Sequence, residues 1–162
     1  MTLVAVLNRS SADSTDVAFW AEAANQQALE VARVWGVEST PVVFFASADD
    51  LPDCRILSIL DSIDVPGALG DHSDDGGIVL AEVKFTGPGT SITISHEVIE
   101  EMVDPTVNRW APYDASHEQA VEPCDRVEGD SYTVSATVAP ASAPSRAKTL
   151  PTLPVLMSRR MT

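Results

Sequence analysis

The chain of 162 residues is 44% hydrophobic and 21% charged, the composition of a soluble globular domain large enough to bury a core. Residues 1–7 carry no basic leader, and no run of about 18 apolar residues is present, so we expect cytoplasmic synthesis, no secretion and no membrane partner. The formal net charge of −14 argues against a nucleic-acid partner, because the acidic surface would repel phosphates.

Acidic and basic residues are distributed unevenly along the chain. All 24 acids lie within residues 1–130 together with six of the ten bases, whereas residues 131–162 hold four bases and no acid. Residues 139–162 are rich in Ala, Pro and Ser, and their prolines disfavour regular helix or strand. We therefore predict one domain over residues 1–138 and an extended basic arm over residues 139–162. The arm either docks electrostatically, on its own domain or on a neighbouring copy, or is a disordered end with incidental charge.

The first half of the chain predicts strands around one amphipathic helix. Short apolar runs bounded by polar or turn-forming residues are typical of buried strands. Apolar residues recur every three or four positions from about residue 15 to 35, which predicts a helix that Gly36 ends. Prolines and glycines interrupt residues 61–77, which predicts a loop there. The predicted strands of this half are Leu3–Leu7, Pro41–Ala46 and Cys54–Leu60.

The second half predicts two more strands and a second long helix. Ile78–Phe85 and Ser131–Val138 alternate well enough to be strands. The helix is expected to begin near Ser95 and to end before Pro105, because proline disfavours helix at the preceding residue. A short helix is expected over residues 115–121. Together these elements predict an α+β (α/β) fold, a compact single domain with a small mixed sheet, an N-terminal helix and a second helix.

The second long helix carries the sequence His-Glu-x-x-Glu at residues 96–100. His96 and Glu100 are four residues apart, so they project from one helical face, one turn apart. An imidazole and a carboxylate at that spacing can bind one divalent metal ion. Glu97 occupies the position at which zinc peptidases of the His-Glu-x-x-His type keep their general base, which acts on a metal-bound water. The alternative is an acidic helix face that points to solvent and binds no metal.

A catalytic zinc site takes three protein ligands, so a third donor is needed beside His96 and Glu100. Glu122 is our first prediction because it lies beside the end of the predicted helix 115–121, and Asp125 is the second choice. Zinc suits this combination of histidine nitrogen and carboxylate oxygen, although carboxylate ligands also suit Mn, Mg or Ca. Further acids in reach by sequence are Glu118, Glu128 and, at the end of the helix itself, Asp104.

The other residues with potentially reactive side chains are given structural roles. The chain has no Cys-x-x-Cys pair, so Cys54 and Cys124 are expected to be free, buried thiols and not zinc ligands. His72 is expected to satisfy a backbone group of the loop 61–77, and His117 to lie on a helix surface. The strand Ile78–Phe85 is expected to form the sheet edge along which an extended peptide substrate could pair.

Three segments together resemble a known family. They read Leu-Gly-Asp-His over residues 69–72, Ser-His-Glu-x-x-Glu-x-x-x-Asp-Pro over residues 95–105 and Glu-x-Cys-Asp-x-Val-Glu over residues 122–128. The family is encoded in phage genomes and in bacteria and is described as zincin-like. The resemblance covers about residues 30 to 135. The chain departs from the family pattern at Asp71, where an aromatic residue is usual, and by its arm after the last strand.

The resemblance implies a compact α/β domain with His96, Glu97 and Glu100 at its centre and Glu122 or Asp125 beside them. Two functions follow as hypotheses. The first is a zincin-like metal-binding protein, a metallopeptidase if Glu97 acts as base on a peptide substrate. The second is a phage virion structural protein, a minor capsid or tail component with a zincin-like scaffold. In that case the oppositely charged arm would bind neighbouring subunits, either further copies of the chain or other virion proteins.

Overall fold

The computed structural model describes residues 3–75, 78–112, 114–121, 123–125, 131–136, 148–149 and 153–154. Two α-helices and a five-stranded sheet form its body, so the predicted α+β fold is confirmed. In this part of the chain neither helix is long and apolar enough to cross a membrane. The body consists of β1 (Val4–Arg9), α1 (Ser14–Trp35), β2 (Val42–Phe45), β3 (Arg55–Leu60), β4 (Gly70–Asp75), β5 (Ile78–Lys84) and α2 (Thr90–Val103), followed by β6 (Trp110–Pro112), β7 (Glu118–Ala120), β8 (Ser131–Tyr132), β9 (Ser135–Ala136), β10 (Lys148–Thr149) and β11 (Leu153–Pro154).

The main sheet has the strand order β2-β1-β3-β5-β4. Its first four strands are parallel, and β4 runs antiparallel to β5 at one edge. Residues 4–7 of the central strand β1 are buried without exception, whereas Val43 of β2 and Glu82 of β5 are exposed. The edge strand β4 reads Gly-Asp-His-Ser-Asp-Asp, a polar sequence suited to a strand with one open side.

Both helices lie on one face of the sheet and pack against each other. Residues that point to this face alternate along β1, β3 and β5, as the two-residue period of a strand requires. Because α2 lies over β5 and β4, it presents its buried face to the antiparallel edge of the sheet. The core includes Val4, Val6, Leu57, Ile59, Ala81 and Val83 from the strands, and Val17, Trp20, Ala24, Ala28, Ile94 and Val98 from the helices.

Local hydrogen bonds determine where the two helices begin and end. The Asp13 carboxylate accepts a 2.7 Å hydrogen bond from the Thr15 N–H at the start of α1, and Gly36, with φ of 67°, ends α1 as predicted. Helix α2 begins at Thr90, five residues earlier than predicted, where the Thr86 N–H donates to the Thr90 hydroxyl at 2.9 Å. Its first turn is buried, so packing outweighs the low helix propensity of its β-branched residues.

Three predictions of secondary structure are wrong. Residues 61–77 are not all loop, because β4 lies within them and obtains its hydrogen bonds from β5. Strand Ile78–Phe85 is not the sheet edge, because β4 pairs with its outer side. Residues 115–121 do not form a helix, because residues 118–120 pair with β6 in a hairpin. In each case the structure depends on pairing with another strand, which the local sequence does not reveal.

Only four residues of the predicted arm 139–162 belong to the described part of the chain. Strand β10 pairs with β9, and β11 pairs with β8 and lies against α2. These four residues therefore contact the domain of their own chain, although no regular structure was expected there. The predicted strand Ser131–Val138 is present as β8 and β9, and residues 137–138 lie outside the described part.

Candidate metal centre

The pairing of β4 with β5 determines which side chains of β4 face helix α2. Gly70 lies opposite Val83 and His72 opposite Ala81, and residues directly opposite in an antiparallel pair share a face of the sheet. Val83 and Ala81 belong to the core under the helices. His72 therefore points toward α2 instead of into solvent. The expectation that it satisfies a backbone group of a loop is wrong, because His72 lies on a strand beside Glu97.

Four contacts between histidine and carboxylate define the centre. His72 Nδ1 lies 3.4 Å from Glu97 Oε2 and 3.6 Å from Glu100 Oε2. His96 Nε2 lies 3.2 Å from Glu100 Oε1 and 3.2 Å from Asp125 Oδ1. The two oxygens of Glu100 thus face two different histidines, and Glu100 is the residue that joins the two halves of the centre.

Gly70 is required by the close approach of α2 to β4. A Cβ atom placed on Gly70 would collide with the carboxylate of Glu97 and would lie 2.8 Å from the Thr93 methyl group. Any side chain at this position would push Glu97 away from His72. The glycine that led to the prediction of a loop is therefore the residue that allows Glu97 to lie against the strand.

Helix α2 carries carboxylates that are withdrawn from solvent. Glu97 and Glu100 are each 4% exposed, and Glu101 is fully buried. Burial raises the pKa of Glu97, and the neighbouring His72 and His96 reduce this shift without cancelling it. A solvated acidic helix face, the alternative to a metal site, does not describe these residues.

The two histidines respond to the same carboxylates. Burial opposes protonation of His96, but its contact with Glu100 and the charges of Glu97 and Asp125 outweigh burial and raise its pKa to about 9. For His72, burial again opposes protonation, and the contact with Glu97 leaves the pKa raised. The surroundings therefore favour the protonated, positively charged form of both His72 and His96.

The separations of these atoms fit a bound metal ion. Zinc lies about 2.1 Å from histidine nitrogen and carboxylate oxygen, so two ligands of a tetrahedral site lie about 3.4 Å apart. The four contacts above span 3.2–3.6 Å, longer than charge-assisted hydrogen bonds of about 2.7–2.9 Å. Among the described residues, the buried Oε1 of Glu100 has no well-formed hydrogen bond, although His96 Nε2 lies 3.2 Å from it. A buried carboxylate oxygen without a well-formed hydrogen bond is suited to binding a cation.

The segment 123–125 adds two donors to the His96 side of the centre. The Cys124 sulfur lies within 4.8 Å of ligand atoms of His96 and Glu100, and Asp125 contacts His96 directly. Burial, reinforced by Glu100 and Glu97, raises the pKa of the Cys124 thiol. Both cysteines are free, as predicted, but only Cys124 is buried, and Cys54 is partly exposed. Although no thiolate ligand was expected, Cys124 belongs to a group of donors that could hold an ion. Glu122, our first choice for third ligand, lies outside the described residues.

Among the described residues, the remaining sequence candidates are not part of the centre. His117 is exposed on the β6–β7 hairpin, where its Nδ1 lies 2.8 Å from Asp114 Oδ2. Glu118 is exposed on β7 of the same hairpin, and Glu128 lies outside the described residues. Asp104 is buried and accepts hydrogen bonds from the N–H groups of Asn108 and Arg109, at 3.2 and 2.7 Å.

Asp104 therefore stabilises the segment that follows α2 through these two hydrogen bonds, and we do not expect it to bind metal. We expect Asp104→Ala to lower the free energy of unfolding by about 1–3 kcal/mol, because two backbone N–H groups lose their acceptor. Metal affinity of the folded variant should equal that of the wild type. Urea unfolding and metal titration of the same preparation test both statements, and a loss of metal binding in the folded variant would make Asp104 a ligand.

Comparison with known proteins adds no assignment to this geometry. No protein-family model matches the chain, and neither a curated protein nor a solved structure is significantly similar to it. The donor groups His96-Glu100-Cys124 and His72-Glu97-Glu100 that the fold assembles could each hold a metal ion.

Proposed function

We propose that this chain is a zincin-like metal-binding protein whose ion is held by His96, Glu100 and Asp125, with Cys124 as a further donor. The observation that carries the proposal is the position of His96 Nε2, 3.2 Å from a carboxylate oxygen of both Glu100 and Asp125. Zinc is the ion that best suits a site of imidazole, carboxylate and thiolate donors, since thiolate disfavours Mg and Ca.

We further propose that the centre hydrolyses peptide bonds. A divalent ion held there would supply a Lewis acid and lower the pKa of water. Glu97 supports this proposal because it lies beside the donor set without being part of the His96 side. Burial raises its pKa, which makes the carboxylate a stronger base, and His72 holds its Oε2 oxygen. Glu97 would accept the proton from the attacking water and pass it to the leaving amine.

The edge strand β4 offers a place for an extended peptide. It pairs with β5 alone among the described strands, so a peptide could add to its other side as a further strand. His72 of β4 contacts Glu97, so a peptide paired with β4 would pass beside the proposed base. We therefore propose β4, and not the strand Ile78–Phe85, as the place where a substrate pairs with the sheet. An extended peptide remains the proposed substrate class.

Glu97→Gln tests the hydrolytic part of the proposal. With one equivalent of zinc and fluorescently labelled casein, we expect the variant to hydrolyse at least about 100-fold more slowly than the wild type, because the amide cannot accept the proton. The variant should keep the ion held by His96 and Glu100. Glu82→Gln, at an exposed carboxylate of β5, should match the wild type.

The possible results separate two failures. Unchanged turnover in Glu97→Gln would exclude Glu97 as the base. A wild-type protein that binds zinc and cleaves no casein would leave the metal site standing and remove the peptidase proposal. The virion role of the arm stays a prediction, and deletion of residues 139–162 with loss of incorporation into particles would support it.

A further inference from the structure

We infer that the centre has a second, weaker cation site formed by His72, Glu97 and Glu100, in which Glu100 bridges two divalent ions. The inference rests on the proposed function, since the first ion is the one held by His96, Glu100 and Asp125. It adds a second ion of the same chemical class, a zinc-like divalent cation, on the side of the centre that faces β4.

The geometry of Glu100 carries the inference. Its Oε1 faces His96 and its Oε2 faces His72, at 3.2 and 3.6 Å, so one carboxylate can serve two ions. The His72 side has a complete donor set of its own, because ligand atoms of His72, Glu97 and Glu100 lie within 4.8 Å of one another. Sites of this kind hold their ions about 3.5–4 Å apart.

Charge supports the inference independently of the distances. The carboxylates of Glu97, Glu100 and Asp125 carry three negative charges when ionised, and one divalent ion leaves one of them uncompensated. Glu97 and Glu100 are almost fully buried, where an uncompensated charge is costly. A second cation bound beside His72 would supply the missing charge.

The second site has a consequence for the proposed hydrolysis. The second ion should bind about tenfold or more weakly than the first, because two divalent cations in one centre repel each other. Once Glu97 is a ligand, its oxygen is no longer available as a base. Excess metal should therefore inhibit a centre that one equivalent of metal activates.

Metal stoichiometry of the full chain tests the inference without reference to activity. Chelator-treated protein is titrated with Zn²⁺ by calorimetry, and bound zinc is measured by elemental analysis after dialysis at each step. We expect two equivalents for the wild type, one equivalent for His72→Gln and two for the control His117→Gln, an exposed histidine outside the centre. Far-UV circular dichroism checks that both variants are folded.

Each outcome bears on a different statement. One equivalent in the wild type that His72→Gln leaves unchanged would overturn the second site and leave the proposed function standing. No zinc in the wild type would overturn both. Two equivalents retained by His72→Gln would overturn the location of the second site.

Loading with Co²⁺ tests the bridge in the wild type, without any variant. Two cobalt ions that share the Glu100 carboxylate should couple magnetically, so the electron paramagnetic resonance signal of the first equivalent should decrease as the second binds. Two separate sites would instead give additive signals, and this result would overturn the bridging role of Glu100.

Discussion

Glu100→Gln should abolish metal binding by the whole centre, with affinity reduced at least about 100-fold at the tight site. Each oxygen of Glu100 faces a histidine, so the substitution removes a ligand from the His96 side and from the His72 side together. An amide offers one oxygen and carries no charge to offset a cation. Calorimetric titration with Zn²⁺ measures the effect, and Glu82→Gln is the matched control on the exposed face of β5.

The same variant separates a metal ligand from a structural carboxylate. In a chelator, Glu100→Gln should unfold at a lower temperature than the wild type, because the protonated His96 loses the buried carboxylate that faces it at 3.2 Å. With zinc at about 100 times the dissociation constant, the wild type should gain about 2.7 kcal/mol that the variant does not gain. Wild-type zinc affinity in Glu100→Gln would remove Glu100 from the site.

The helix of the centre could be predicted from sequence because its signal is local. A four-residue spacing places His96 and Glu100 on one face whatever surrounds them, and Pro105 restricts where the helix can end. The burial of Glu97 and Glu100 could not be predicted, because carboxylates on a helix normally face solvent. Here β4 and the segment 123–125 cover them.

The partners of that helix come from distant positions and carry weaker signals. His72 lies on a strand without an apolar alternation, so only its pairing with β5 reveals its direction. Gly70 indicated a loop, although the reason for glycine is the approach of Glu97. The family resemblance drew attention to the Leu-Gly-Asp-His segment, but it placed His72 in a loop and did not indicate a strand.

The position of Cys124 and Asp125 beside His96 could not be predicted from the sequence either. Nothing in their spacing from His96 along the chain indicates which of several acids, or which cysteine, returns to the helix. Asp125, the second choice for the third ligand, is the acid outside α2 that contacts His96 in the described part of the chain. The strand order of the sheet could not be predicted either, because the order along the chain does not determine whether β5 or β4 lies at the edge.

Glu101→Gln should stabilise the metal-free protein above neutral pH. Glu101 is fully buried, and neither of its carboxylate oxygens has a hydrogen-bond partner among the described residues. Burial raises its pKa from 4.5 to about 8, although Arg55 and His72 act in the opposite direction. The folded state therefore holds a proton that the unfolded state releases between these two pH values, so wild-type stability falls as pH rises from 4.5 to about 8.

Unfolding by urea in a chelator, at intervals from pH 5 to pH 8.5, measures this difference. Near pH 5 the protonated carboxyl and the amide should behave alike, whereas near pH 8 the variant should be more stable by a few kcal/mol, roughly, because it never buries a charge. Glu82→Gln should show no such divergence. His96, whose pKa is raised to about 9, also loses stabilising charge as pH rises, but it does so in both proteins. A constant difference between wild type and variant across this range would contradict a neutral Glu101 in the folded state.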